Sequence, residues 1–244
     1  MSTNPMHQFE VYRVGPEISI SGINLSFTNA SFFMLISSLL ILLILFLGTK
    51  KKLLIPTKMQ LMTEMSYTFV AKMINDTAGS NAKPFFPFIF TLFMFVLFCN
   101  MVGMLPYSFT VTSHIIVTFI LASLVFVGVT IIGFIKHGIK YLELFVPKGV
   151  PVVLLPLIVI IEIISYLSRP VSLSVRLFAN MMAGHTMLKV FGGFVISLGL
   201  LGGWLPLGFS VALTGLEILV AFLQAYVFAI LTCIYLNDAL NLHH

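Results

Sequence analysis

Long apolar runs separated by short polar connections set the pattern of this chain. Crossing a hydrocarbon core of about 30 Å takes roughly 20 apolar residues in a helix, and the first such run covers residues 30–47, closed by Lys50, Lys51 and Lys52. Two more follow at residues 85–105 and 114–135, close enough to form a helical hairpin over 85–135. Between the first and second runs, residues 57–77 read differently. Met62, Met65, Phe69 and Met73 fall on one face of a helix, with Gln60, Glu64, Tyr67, Lys72 and Asn75 elsewhere. That pattern predicts an amphipathic helix lying on the membrane or against a partner.

From Pro151 onward the hydropathy permits two readings. One cuts the region into three ordinary spans and leaves residues 169–185 as an interfacial loop. The other makes two very long helices, about 152–192 and 207–237, joined near Gly202, Gly203 and Trp204, with Pro170 as a candidate kink. A helix of about 40 residues is roughly 60 Å long, twice the hydrocarbon thickness, so it must lie steeply tilted. The polar positions favour this second reading. Glu162, Ser165, Arg169, Ser172, Arg176 and Asn180 succeed one another at steps of three or four residues and share one helix face. Glu217, Ala221, Gln224 and Phe228 repeat that spacing on the second helix. With the turn centred near residue 200, Arg176 falls level with Gln224, and His185 level with Glu217. The fold class expected is therefore all-α and polytopic: about five membrane-embedded helices in one membrane domain over residues 1–244, with a tilted C-terminal hairpin over 151–237, plus the surface helix.

Composition agrees with a membrane solvent. Hydrophobic residues make up 59% of the 244, charged residues 9%, and the mean hydropathy is +1.09, whereas a soluble domain carries about 25% charge. The net charge of +5 comes with no nucleic-acid motif and no single basic face, so nucleic acid is not an expected partner. The basic residues read instead as topology signals. Lys50, Lys51, Lys52, Lys58, Lys72 and Lys83 lie between the first two spans, Lys136, Lys140 and Lys148 follow the third, and residues 104–113 hold none. The positive-inside rule then places the N-terminus outside and the C-terminus inside. The first 28 residues, with His7, Glu10, Arg13 and Glu17, are too polar for a signal-peptide core and too acidic for an organellar presequence, so the mature chain is expected to begin at or near Met1. Cys99 and Cys233 lie in apolar helical runs without metal-ligand spacing and are read as buried filler. His243 and His244 are read as a solvated tail, not a metal site.

One residue stands out against this background. In hydrocarbon a charge costs at least about 2.5–3.5 kcal/mol, so a retained one usually marks an ion pathway or a counter-ion. Arg176 is such a charge, set in the run Ser172-Leu-Ser-Val-Arg-Leu-Phe-Ala-Asn-Met-Met-Ala-Gly-His185. That run, the segment Glu217-Ile-Leu-Val-Ala-Phe-Leu-Gln-Ala-Tyr-Val227, the end Ile234-Tyr-Leu-Asn-Asp-Ala-Leu-Asn-Leu-His243 and the upstream stretch from Phe98 to His114 closely resemble subunit a of the F-type ATP synthase. The likeness is to the mitochondrial and α-proteobacterial form and covers most of the chain from about Phe85.

The resemblance implies a non-catalytic, proton-translocating stator subunit in a bacterial or mitochondrial inner membrane. Its expected partners are the ring of c subunits, the peripheral-stalk subunit b and the other subunits of the complex. No cofactor or metal is expected. Arg176 matches the family's essential arginine, which faces the ring carboxylates, and Asn180 and Gln224 match polar neighbours lining its pocket. His185 and Glu217 match the pair near the inlet half-channel, Glu162 the acidic residue of the other half-channel, and Asn100 with His114 polar positions near the first. The chain departs from the best-studied bacterial forms in having no acidic residue just after Asn100.

Simpler readings stand beside these. Amides such as Asn180, Gln224 and Asn100 often only join membrane helices, Glu162 also suits an interface position, and His185 with Glu217 also suits a structural pair. Two other function classes fit less well. A secondary transporter needs internal repeats with broken helices, and the chain has no such duplication. An intramembrane hydrolase needs a nucleophile–base set or a metal motif such as HExxH, and neither occurs.

Overall fold

The computed structural model describes residues 9–15, 19–20, 23–24, 26–50, 55–105, 108–146 and 154–241. Lys51, Lys52, Lys148, Pro151, His243 and His244 lie outside the described residues, as do His7 and Glu17. A minimal antiparallel pairing of β1 (Ser19–Ile20) with β2 (Ile23–Asn24) precedes six α-helices. These are α1 (Asn29–Thr49), α2 (Lys58–Ala78), α3 (Phe86–Gly103), α4 (Ile115–His137), α5 (Leu155–Gly202) and α6 (Trp204–Leu240). All except α2 belong to segments long and apolar enough to cross a membrane.

Local chemistry sets several boundaries. Thr28 and Thr57 cap α1 and α2, each hydroxyl accepting from the backbone N–H three residues on and so satisfying a donor the helix itself leaves open. A 3-10 segment at Ser80–Phe85, holding Pro84, leads into α3. Another at Gly138–Phe145 follows α4. The long-hairpin reading holds, with its turn at Gly203. Pro170 lies inside α5, yet the non-helical backbone there is at Gly199, with φ 58° and ψ −154°. Only glycine enters that region without strain, so the bend falls one turn before the apex and not at the proline.

The surface helix expected at residues 57–77 is present as α2. The positions α2 buries are Gln60, Val70, Met73, Ile74 and Ala78, whereas Met62 and Met65 are exposed. The helix packs against α1, α3 and α6, its N-terminal half meeting α1 where Gly48 lies against Met59 and Thr63. The core runs from the C-terminal half of α2 through Ile89, Phe93 and Val96 of α3 to Leu173 and Leu177 of α5 and Phe228 and Leu236 of α6. Cys99 and Cys233 are free thiols buried in it.

Polar contacts tie one end of the bundle together. Asn81 Nδ2 donates to Asn241 Oδ1 at 3.4 Å, and Lys136 Nζ to the Leu240 carbonyl at 3.0 Å. Arg169 Nη1 meets Asp238 Oδ2 at 3.2 Å, its guanidinium packed over the rings of Tyr166 and Tyr235. Toward the other end, Phe191 of α5 stacks on Phe209 of α6 with ring centroids 6.0 Å apart.

Candidate functional site

Helix α5 carries two kinds of polar position. Ser165, Ser172, Arg176 and Asn180 are exposed along one face, Glu162 and Arg169 partly so. Arg176 has no hydrogen-bond or ion-pair partner among the described residues, and its neighbours Val171 and Val175 are exposed as well. A cation without a counter-charge is costly in hydrocarbon. Ser174, by contrast, is fully buried and shares a hydrogen bond of 3.1 Å with Thr118 of α4. Sequence reading missed this joint, which has no periodic signature.

On α6 the polar stripe turns inward. Glu217, Ala221, Gln224 and Phe228 are all buried, facing the bundle instead of the surface that Arg176 occupies. Gln224 Oε1 accepts from Asn180 Nδ2 at 3.0 Å. The residue that meets Gln224 is therefore one helical turn past Arg176, so the turn is centred slightly beyond residue 200. Asn100 Nδ2 of α3 donates to the carbonyl of Ala221 at 3.2 Å. Both amides thus join helices, as the simpler reading expects, and both retain unused polarity. Asn100 Oδ1 and Gln224 Nε2 are buried without a partner.

The expected match between His185 and Glu217 is met. His185 Nδ1 lies 3.5 Å from Glu217 Oε1, and the carboxyl side chain is only 4% exposed. Room for it comes from Gly184, where an added Cβ would stand 2.6 Å from Glu217 Oε1. Sequence reading also missed Thr110, whose Oγ1 lies 3.0 Å from His185 Nε2. A lone threonine in a short connection gives no signal by spacing. His114 stands at the N-cap position of α4 without a side-chain capping bond and stacks on Phe109; its Nε2 is buried without a partner. The structure records no contact between His114 and the pair. Glu162 sits two turns before Arg169 on the same face, separate from the pair and, at 14 residues from Arg176, about 21 Å away. No group of three or more His, Cys, Asp or Glu suited to a metal occurs among the described residues.

Residues 31–237 match the protein family described as ATP synthase A chain. The chain is 82% identical over 244 residues to the ATP synthase subunit a of Pelagibacter ubique (strain HTCC1062), covering 100% of both. It is 60% identical over 250 residues to that of Chelativorans sp. (strain BNC1), again covering 100% of both. Against that of Rhizobium rhizogenes (strain K84 / ATCC BAA-868) it is 59% identical over 247 residues, or 99% of this chain and 98% of the relative.

Proposed function

The chain belongs to the ATP synthase A chain family, and from that membership we propose that it forms two proton half-channels against a rotating ring of c subunits and couples proton passage to rotation. As a family member it is a non-catalytic, multi-pass membrane subunit of the synthase, contributing to its proton channel. The proposal concerns how its residues do this.

The observation that carries it is the separation of two charges by exposure. Arg176 is presented outward on a face shared with Ser172 and Asn180, while Glu217 and His185 are enclosed between helices nine residues away along α5, a rise of about 13 Å. A ring carboxylate can cross lipid only when protonated, because its ionised form is too costly there. Beside Arg176 it can ionise, since an opposite charge within a few ångströms favours the charged form. Arginine suits this post because it does not deprotonate in a protein and so cannot relay the proton itself. A proton then reaches the ring from one half-channel and leaves by the other only after the ring has turned. His185 and Glu217 serve the half-channel open to the outer side, with Asn100, His114, Asn180 and Gln224 as polar positions along it and around the arginine. Glu162 serves the inner half-channel, and the peripheral stalk holds the subunit against the torque.

The direct test is ATP-driven proton pumping by inverted vesicles carrying Arg176→Ala in an assembled complex. Pumping should be abolished, and Arg176→Lys should not restore it. Near-normal pumping by the assembled alanine variant would overturn the role given to Arg176.

A further inference from the structure

The contacts of Thr110 bear on which face of the histidine handles the proton. Gly103 is the last residue of α3, and its carbonyl is one of those a helix end leaves without an intrahelical donor. Two hydroxyls reach it: Thr110 Oγ1 at 3.2 Å and Ser108 Oγ at 3.0 Å. Ser108 has one proton and a shorter bond to the Leu105 carbonyl, 2.7 Å. The Thr110 proton is assigned to Gly103, whose carbonyl can only accept, because Glu217 Oε1 receives no hydrogen bond from the Nδ1 side of the ring. Once it is committed there, Thr110 Oγ1 has only lone pairs to offer His185 Nε2 at 3.0 Å, and Nε2 must carry hydrogen. A neutral imidazole bears one N–H, so its Nδ1, 3.5 Å from Glu217 Oε1, is left as the basic nitrogen.

We infer that Thr110 is a positioning residue that fixes the tautomer of His185, so that Nδ1 is the nitrogen exchanging a proton with Glu217. The inference rests on the reading of His185 and Glu217 as the inlet pair. The exchange is balanced. An imidazolium with hydrogen on both nitrogens gives its Nδ1 proton to the carboxylate, leaving neutral imidazole with Nε2–H and a neutral carboxylic acid; the return step restores both charges. With the opposite tautomer, Nδ1–H would already point at the carboxylate, and the neutral ring could accept no proton from Glu217. Other ionisable groups bear on the same ring: Lys189 one turn on along α5, Arg176 nine residues back, and His114 four residues beyond Thr110 in the same connection. None of these occupies Nε2, for which Thr110 Oγ1 is the hydrogen-bond partner the structure records.

The test uses the assembled complex in membrane vesicles, with proton flux followed across a pH series. In Thr110→Val the isosteric side chain has no acceptor for Nε2–H, which removes a contact that favours the imidazolium. Flux should fall about tenfold, and the pH at which it is half-lost on the alkaline side should drop by about one unit, the scale of a hydrogen bond to a charged group. Thr110→Ser keeps the hydroxyl and should stay within about twofold of wild type with an unshifted profile. If valine prevents assembly, Thr110→Ala is measured in its place against the same expectations. Wild-type flux and pH profile in the variant lacking the hydroxyl, or a serine variant as impaired as it, would overturn the positioning role. Glu217→Gln measured alongside separates the two levels. Flux lost in Glu217→Gln but untouched in Thr110→Val removes Thr110 alone, whereas wild-type flux in both removes the inlet reading as well.

Discussion

Glu217 and the missing side chain of Gly184 compete for the same volume. A Cβ at position 184 would stand 2.6 Å from Glu217 Oε1 and 2.9 Å from its Cδ, closer than carbon tolerates, so the carboxyl sits against α5 only because residue 184 is glycine. Both Glu217 oxygens are buried without a hydrogen-bond partner of good geometry, and an orphaned polar group is costly to enclose. A structural pair would be expected to close that contact; a group that must gain and lose protons has reason to stay open. Gly184→Val should push the carboxyl away from His185 and slow proton flux on the order of tenfold to a hundredfold, the range a displacement near 1 Å commands at a reacting pair. Glu217→Asp, shorter by one methylene, should recover part of that loss when combined with it and should be harmful alone. Flux measured in assembled complexes checks this; no recovery in the double variant would deny that space at position 184 is what matters.

At the level of elements, the C-terminal hairpin was legible because its polar residues repeat at helical spacing, and spacing survives without any knowledge of neighbours. The outward face of α5 and the level of His185 with Glu217 followed directly. What did not follow was the rotation of each helix about its axis. The Met-rich stripe of α2 is divided, with Met62 and Met65 exposed while Met73 packs beside Val70, Ile74 and Ala78. Likewise Gln224 turned toward Asn180 and not Arg176, a difference of one turn set by the tight apex at Gly199 and Gly203. Thr110, Ser174 and Thr118 were invisible for a related reason: single hydroxyls in apolar sequence acquire meaning only from what the fold brings within 3 Å or so of them. The hairpin register can be checked by disulfide formation. The Cβ position at 184 lies 3.2 Å from Glu217 Cγ, which leaves the two Cβ atoms near the roughly 4 Å that a disulfide requires. Cysteines at 184 and 217, in a background lacking Cys99 and Cys233, should crosslink readily under mild oxidation, and better than a pair at 176 and 224. The reverse order of yields would mean that the face of α5 carrying Arg176 points at α6 and not outward.

For the whole molecule, the contacts at one end of the bundle turn a statistical argument about charge into a single choice. Asn81 before α3 touches Asn241 after α6, Lys136 at the end of α4 touches Leu240, and Arg169 in the first third of α5 touches Asp238. The lysine-bearing connections and the C-terminal end of α6 are therefore on one side of the membrane together, and one labelling result fixes them all. The proposed orientation takes this to be the inner side, as the positive-inside rule expects, with the α5–α6 turn, His185 and Glu217 toward the outer compartment. Single cysteines replacing Asn81 and Lys140 should then react with an impermeant thiol reagent in inside-out vesicles but not in intact cells. A cysteine replacing Ser108, in the connection that carries Thr110, should show the opposite preference. Labelling of position 140 from outside intact cells would invert the bundle and exchange the two half-channels, moving Glu162 to the outer one, while leaving Arg176 where it is. If instead positions 81 and 140 labelled from opposite sides, the end contacts themselves would be wrong and the bundle would have to be rebuilt, because no rigid inversion separates residues that meet through the same terminal turn of α6.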